Sequence, residues 1–299
     1  MHADAELFPG LRSARIEGAG ATIACAIGGS GPPLLLLHGF PQTHAMWHRV
    51  APALAVRYTV VCADLRGYGD SSKPPTDARH APYSKRAMAA DMVAVMRSLG
   101  FPRFRLVGHD RGARVSHRLA LDHAEAVERV AVLDIAPTLA MYEKADRAFA
   151  TAYYHWFFLI QPYDLPERMI GADPARYLLT KIGGWGSAGT SFFDPRALAE
   201  YQRCYADPAT IHATCEDYRA SASIDLELDA ADRAAGRRVR CPLLALWGER
   251  GVVHRLFDPL AEWRAVADDV RGKALPCGHY LAEELPRETL AELESFLGA

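Results

Sequence analysis

Gly108-His109-Asp110-Arg111-Gly112 is the segment of this 299-residue chain whose residue types point most directly to chemistry. The apolar run Phe104-Arg105-Leu106-Val107 enters it and a helical stretch leaves it. The pattern Gly-x-nucleophile-x-Gly fits a sharp strand-to-helix turn that lifts one side chain above a sheet. Glycines suit it because the backbone there is crowded and strained. The central residue is Asp110. A carboxylate has a reference pKa of about 3.9 and is ionised at neutral pH without help, and a helix N-terminus favours that charge. Attack on an acyl carbon would give an anhydride. Displacement at a saturated carbon gives an alkyl ester of Asp110, which suits this nucleophile better. Water must then cleave the ester, which requires a base and an oxyanion hole. The competing reading is a glycine-rich turn in which Asp110 only caps a helix.

His279, in Gly278-His279-Tyr280 after the last apolar run, is the candidate base. Twelve histidines keep an ordinary surface-loop His as the competing reading. Two acids could orient it: Asp134, at the end of Val130-Ala131-Val132-Leu133, and Glu249, after Leu246-Trp247-Gly248. Either gives the chain order nucleophile, acid, histidine found in α/β hydrolases. His38-Gly39-Phe40-Pro41 follows an early apolar run. Such a turn can aim the Phe40 N–H, together with that of Arg111, at a developing oxyanion.

Arg111 and Arg114 fall in the first turn of the helix behind Asp110. Cations are disfavoured there by roughly 0.3–1 kcal/mol each, so both need an offsetting gain. Recognition of a substrate carboxylate by planar guanidinium groups is one. Pairing with Asp110, Asp134 or carboxylates of the helical segment that follows Pro137 is the other. The first makes the substrate a small anion whose leaving group is adjacent to its carboxylate.

These residues need a sheet to hold them. Pro33 to Leu37, Tyr58 to Ala63, Phe104 to Val107, Val130 to Leu133 and Pro242 to Trp247 read as strands, with a last one leading into Pro276. Helical patterns lie between them, at Trp47 to Ala55, Lys85 to Leu99, Pro259 to Ala267 and Pro286 to Leu297. Alternating strands and helices predict a mostly parallel sheet covered by helices on both faces. Residues 138 to 238 break the alternation. They carry no strand-like run and are rich in aromatic residues, Ala and Arg. The expected organisation is an α/β core over 1–137 and 239–299 with a helical lid over 138–238.

Lys plus Arg numbers 34 and Asp plus Glu 36, so no basic excess is available for a nucleic acid. The longest apolar runs fall far short of the ~20 residues of a membrane span. The start, Met1-His2-Ala3-Asp4-Ala5-Glu6, lacks the basic and apolar blocks of a signal peptide, so the expected location is cytoplasmic. Six scattered cysteines form no C-x-x-C pair and are expected to be reduced and mostly buried.

His38-Gly39-Phe40-Pro41, Gly108 to Arg114, Asp134 and Gly278-His279 together resemble the fluoroacetate dehalogenases of the α/β-hydrolase superfamily. Tyr154-His155-Trp156 and Cys215-Glu216-Asp217-Tyr218-Arg219 extend the resemblance through the helical segment. It implies Asp110 as nucleophile, His279 as base, Asp134 ahead of Glu249 as its partner, and Arg111 and Arg114 as the carboxylate site. It further implies that His155, Trp156 and Tyr218 bind the departing halide, with Lys181 and Trp185 near the pocket. No cofactor or metal is implied, and a homodimer is. A fluoride ion is small and strongly hydrated, so close donors such as imidazole, indole and phenol must replace its water. Packing of the lid on the core is the other use of the Tyr153-Tyr154-His155-Trp156 stripe. Three further functions compete. An epoxide hydrolase would use the same Asp and His with Tyr154 and Tyr218 as acids, although such enzymes generally place Trp where Arg111 stands. A haloalkane dehalogenase would give Arg114 no task. A non-catalytic hydrolase-fold binding protein would not need Asp110, His279 and an acid together.

Overall fold

The computed structural model describes residues 4–186 and 188–298. Eight strands form one sheet: β1 (Leu11–Glu17), β2 (Thr22–Gly28), β3 (Pro33–Leu37), β4 (Thr59–Ala63), β5 (Phe104–His109), β6 (Val127–Leu133), β7 (Leu243–Gly248) and β8 (Val270–Leu275). Their order is β1-β2-β4-β3-β5-β6-β7-β8. β1 and β2 pair antiparallel, as do β2 and β4; the remaining pairs are parallel. Leu34 to Leu37 are each fully buried. Consecutive strand residues point to opposite faces, so burial of all four means that both faces are covered.

The sequence did not reveal β1 and β2. The first has polar residues exposed on most of its length, and the second is short-chained and ends in glycine. The single helix expected over Trp47 to Ala55 is instead a 3-10 turn, His44–Trp47, followed by a one-turn helix, Ala51–Leu54. Pro52 explains the break. In a continuous helix it would lack the N–H for an interior bond; it is tolerated in a first turn. The helix Lys85–Ser98 is capped by Ser84, whose side chain accepts from the Ala87 N–H. It gives way at Gly100, whose φ of 86° favours glycine.

Between β6 and β7 the chain runs through a succession of helices from Thr138 to Ala234. Among the described residues, no helix is long and apolar enough to cross a membrane. The C-terminal ends of β3, β5, β6 and β7, with the turn after β8, bring Phe40, Asp110, Asp134, Gly248 and His279 together, as bonds among these residues demonstrate.

Candidate active site

Asp110 stands between β5 and the helix Arg111–Asp122 with φ 45° and ψ −112°. Few residues other than glycine tolerate a positive φ, and such strain persists only where the surroundings impose it. The surroundings are tight. A Cβ on Gly112 would lie 2.4 Å from the His38 carbonyl oxygen, and one on Gly39 would lie 2.5 Å from the Asp110 Cβ. The glycines thus let the His38-Gly39-Phe40 turn close against the elbow. The Phe40 N–H then donates to Asp110 Oδ1 at 2.9 Å. Arg111, the second expected donor, makes no backbone hydrogen bond to Asp110 among the described residues. Its N–H belongs to the first residue of a helix, where no intrahelical partner exists.

His279 Nδ1 lies 2.6 Å from Asp134 Oδ2. Asp134 Oδ1 accepts from the Gly248 N–H at 2.9 Å, so the carboxylate is held at both oxygens. Glu249, the other candidate acid, is exposed and contributes its backbone N–H to the Leu275 carbonyl. Burial disfavours an imidazolium at His279, but the hydrogen bond and charge of Asp134, with Asp110 adding, raise its pKa above the usual histidine value. Asp110 is lowered: burial opposes its charge, and His279, Arg114, His109 and Arg111 outweigh that. His109 packs against His279 with ring centroids 4.5 Å apart and the planes tilted by 50°, and its Nε2 bonds to the His279 carbonyl at 2.9 Å. Burial pushes it down to about 3, so it packs as a neutral ring.

The arginines are both buried. Arg111 pairs with Asp217, Nε to Oδ2 at 2.9 Å and Nη2 to Oδ1 at 2.8 Å. Asp217 also binds Lys85, and the Tyr68 hydroxyl donates to it at 2.6 Å. The pairing of an arginine with a distant carboxylate is therefore real for Arg111. It is incomplete, because Arg111 Nη1 is buried with no partner. Arg114 donates through Nη1 to the Ala136 carbonyl and to Thr138 Oγ1, at 3.2 and 2.9 Å. Its Nε is buried and unpartnered. Burial and the neighbouring Arg111 lower its pKa, while Asp110 acts in the opposite sense. Two dry guanidinium groups, each with an unused N–H, form a site with unmet demand for an anion.

The helix Tyr154–Phe158 supplies His155 and Trp156, and the helix Pro208–Ser221 supplies Tyr218. All three are buried. Tyr218 lies with its ring 5.5 Å from that of His155 and 6.4 Å from that of Trp156. The Arg111 guanidinium sits 4.1 Å over Tyr218, and Arg114 sits 4.7 Å over Trp156. The packing role of this stripe is thus also present: Trp156 stacks on Tyr153 and meets Phe149 edge-on. His155 is held well below the usual histidine pKa by burial, with Lys181 and Arg111 adding. It is a neutral imidazole whose buried Nδ1 has no partner.

Trp185 packs against His155 at 4.7 Å and His279 at 5.6 Å, and its carbonyl accepts the His279 N–H at 3.0 Å. Lys181 is buried with its ammonium 3.6 Å over the Tyr154 ring, and burial lowers its pKa to about 8. Both line a cavity of about 320 Å³ that also includes Arg250 and Arg255 and no carboxylate. Tyr154, in contrast, is 45% exposed. Among the described residues, no group of three or more His, Cys, Asp or Glu side chains is arranged to hold a metal ion.

Sequence reading gave no role to Asp217, Lys85, Thr138 or Gly248. The one available signal was the placement of Asp217 beside Tyr218; the others become visible only when distant segments meet.

The α/β hydrolase fold family matches residues 32–284. A fluoroacetate dehalogenase from Burkholderia sp is 51% identical over 291 residues, 97% of this chain and 95% of that protein. A soluble epoxide hydrolase from Corynebacterium sp. (strain C12) is 36% identical and covers 87% of each chain. The crystal structure of a provisionally assigned α/β hydrolase from Nostoc sp PCC 7120 superposes with a TM-score of 0.94 at 56% identity, over 96% of this chain and 98% of that one. With an elbow, a turn donor and a paired histidine already in place, this chain is a hydrolase of the α/β-hydrolase superfamily and belongs to its fluoroacetate dehalogenase family.

Proposed function

We propose that the protein hydrolyses a small 2-haloacid such as fluoroacetate to the 2-hydroxyacid. The observation carrying this reading is the pair of buried guanidinium groups with unused N–H donors next to an ionised Asp110. A neutral haloalkane or epoxide would leave those donors unmet. Against the epoxide hydrolase reading, Tyr154 is largely at the surface under Lys181 rather than paired with Tyr218.

The substrate carboxylate binds Arg111 and Arg114. Asp110 Oδ2 attacks the carbon bearing the halogen, and the carbon–halogen pair of electrons leaves with the halide toward His155, Trp156 and Tyr218. Oδ1 stays on the Phe40 N–H. The resulting ester carries no charge at Asp110, which removes one of the influences raising His279. The histidine then yields its proton more readily and serves as base. It takes a proton from water, which attacks the Asp110 carboxyl carbon. The oxyanion forms on Oδ1, where the Phe40 N–H stabilises it. Collapse expels the hydroxyacid oxygen, which takes the proton back from His279, and the Asp110 carboxyl, left with the second proton of the water, releases it to solvent and is again ionised.

Halide release from fluoroacetate, fluoroacetamide and a neutral haloalkane, with diol formation from styrene oxide, tests the reading. Wild type is expected to act on fluoroacetate and to leave the haloalkane and epoxide nearly untouched. Arg114→Gln is expected to lose about one to two decades of kcat/KM on fluoroacetate, the value of a charge-assisted contact. Its loss on fluoroacetamide is expected to be small. Equal losses on both would give Arg114 a purely structural role, and preferred turnover of styrene oxide would overturn the substrate class.

A further inference from the structure

Four residues beyond His279, the short helix Leu281–Glu284 carries a carboxyl group that the proposed reaction does not use. Glu283 is fully buried, and three parts of the fold meet on it. Gln42, two residues after Phe40, donates through Nε2 to Glu283 Oε2. The Tyr201 hydroxyl, on the helix Pro195–Tyr205 of the inserted segment, donates to Oε1 at 3.0 Å. Arg49 Nη1 donates to the Glu283 backbone carbonyl at 2.7 Å. The Gln42 N–H closes back on the Gly39 carbonyl at 2.9 Å, so Gln42 is part of the turn that presents the Phe40 N–H. The neighbouring Glu284 accepts from the backbone N–H groups of Gly278 and Tyr280, at 2.9 and 3.0 Å. It thereby braces the two residues flanking His279.

We propose that Glu283 is a positioning residue, tying the turn that offers the Phe40 N–H to the loop that carries His279 and to the inserted helix of Tyr201. The proposal rests on the reaction proposed above. Among the described residues no ion pair reaches its carboxylate oxygens, Arg49 bonding the backbone carbonyl instead, and such a buried acid is an expensive way to fill space, since an apolar side chain of similar volume avoids the desolvation. What it provides is a fixed distance between three segments, 241 residues apart in sequence at the extreme. The groups facing it are Tyr201, Gln42, Arg49, Tyr280 and Glu284. Burial raises its pKa to about 8, with Glu284 adding and the bonds from Tyr201 and Gln42 opposing. At neutral pH it is therefore mostly the uncharged acid, able to donate to one neighbour while accepting from another.

Glu283→Leu, Glu283→Gln and Tyr201→Phe test this. The Leu variant is expected to lose at least about tenfold in kcat on fluoroacetate with KM within about threefold, because the oxyanion donor moves while the arginine site does not. Gln keeps the shape and both kinds of hydrogen-bonding atom and should restore most of kcat. Tyr201→Phe, which keeps its ring in the core, should lose about two- to tenfold in kcat, one hydrogen bond's worth. Protonation is read separately by thermal melts. An acid with a raised folded pKa keeps its proton in the fold and loses it on unfolding, from the ordinary carboxylate range up to about 8. Wild-type stability should therefore fall relative to Glu283→Gln as pH rises through that window, and the difference should level off above it. If Glu283→Leu fails to fold, the Tyr201→Phe kinetics and the melts decide. Folded variants with wild-type kcat, losses confined to KM, or a melting difference independent of pH would each overturn the proposal. A wild-type enzyme inactive on haloacids would instead refute the reaction proposed above.

Discussion

Asp134→Asn is expected to lower steady-state turnover of fluoroacetate by about three to four decades, the scale known for Asp-to-Asn changes behind a catalytic histidine. The reason is tautomeric. Asp134 Oδ2 accepts from His279 Nδ1 at 2.6 Å, so in the neutral ring the lone pair sits on Nε2, where water is activated. An Asn amide facing Nδ1 with its NH₂ forces the proton onto Nε2 and removes the base. Turned the other way, the NH₂ meets the Gly248 N–H, donor against donor, where Oδ1 now accepts at 2.9 Å. The first orientation keeps both contacts only with the wrong tautomer, and the second keeps the tautomer only by giving up the Gly248 contact. Ester formation does not use His279, so rapid-quench measurement should still find close to one halide per active site in the first turnover. A steady-state loss below about tenfold would mean that another acid, or none, orients the ring.

Trp156→Phe is expected to slow defluorination by about ten- to a thousandfold, as removal of one preorganised donor does elsewhere, and to slow dechlorination much less. Fluoride is the poorer leaving group and the stronger acceptor, so its departure gains more from a donor that acts as charge develops. The ring is buried against Tyr142, Tyr153 and Phe149. Phe retains most of that packing and the face beneath Arg114, so the variant should remain folded. Tyr218→Phe should show the same bias. Equal losses with fluoroacetate and chloroacetate would mean that these rings only pack the helices together.

The nucleophile elbow, the oxyanion turn and the late histidine were legible because each is a local pattern at the end of an apolar run. Residue types alone left Asp134 as one of two acids, and only the family resemblance put it ahead of Glu249, since the contact it makes joins β6 to the turn after β8. The arginines could be recognised as out of place at a helix N-terminus, but not how they are tolerated there. Arg111 is balanced by Asp217, 106 residues away, and no periodicity announces such a pair. The same holds for Glu283 with Gln42 and Tyr201. The parallel strands stood out as uninterrupted apolar runs because both of their faces are covered. β1 did not, because much of its surface meets water. Around Pro52 the apolar spacing fits one helix, while the preference of proline for a first turn divides it in two.

The account stands on a covalent ester at Asp110, and His279→Asn isolates that step. With the base removed, Asp110 should still displace fluoride once while water cannot be activated to cleave the ester. Mass spectrometry of the variant after incubation with fluoroacetate should find the peptide containing Asp110 heavier by one carboxymethyl group, with one fluoride released per active site. Stoichiometric or catalytic fluoride release with an unmodified Asp110 would contradict the account, because water would then be attacking the substrate carbon directly.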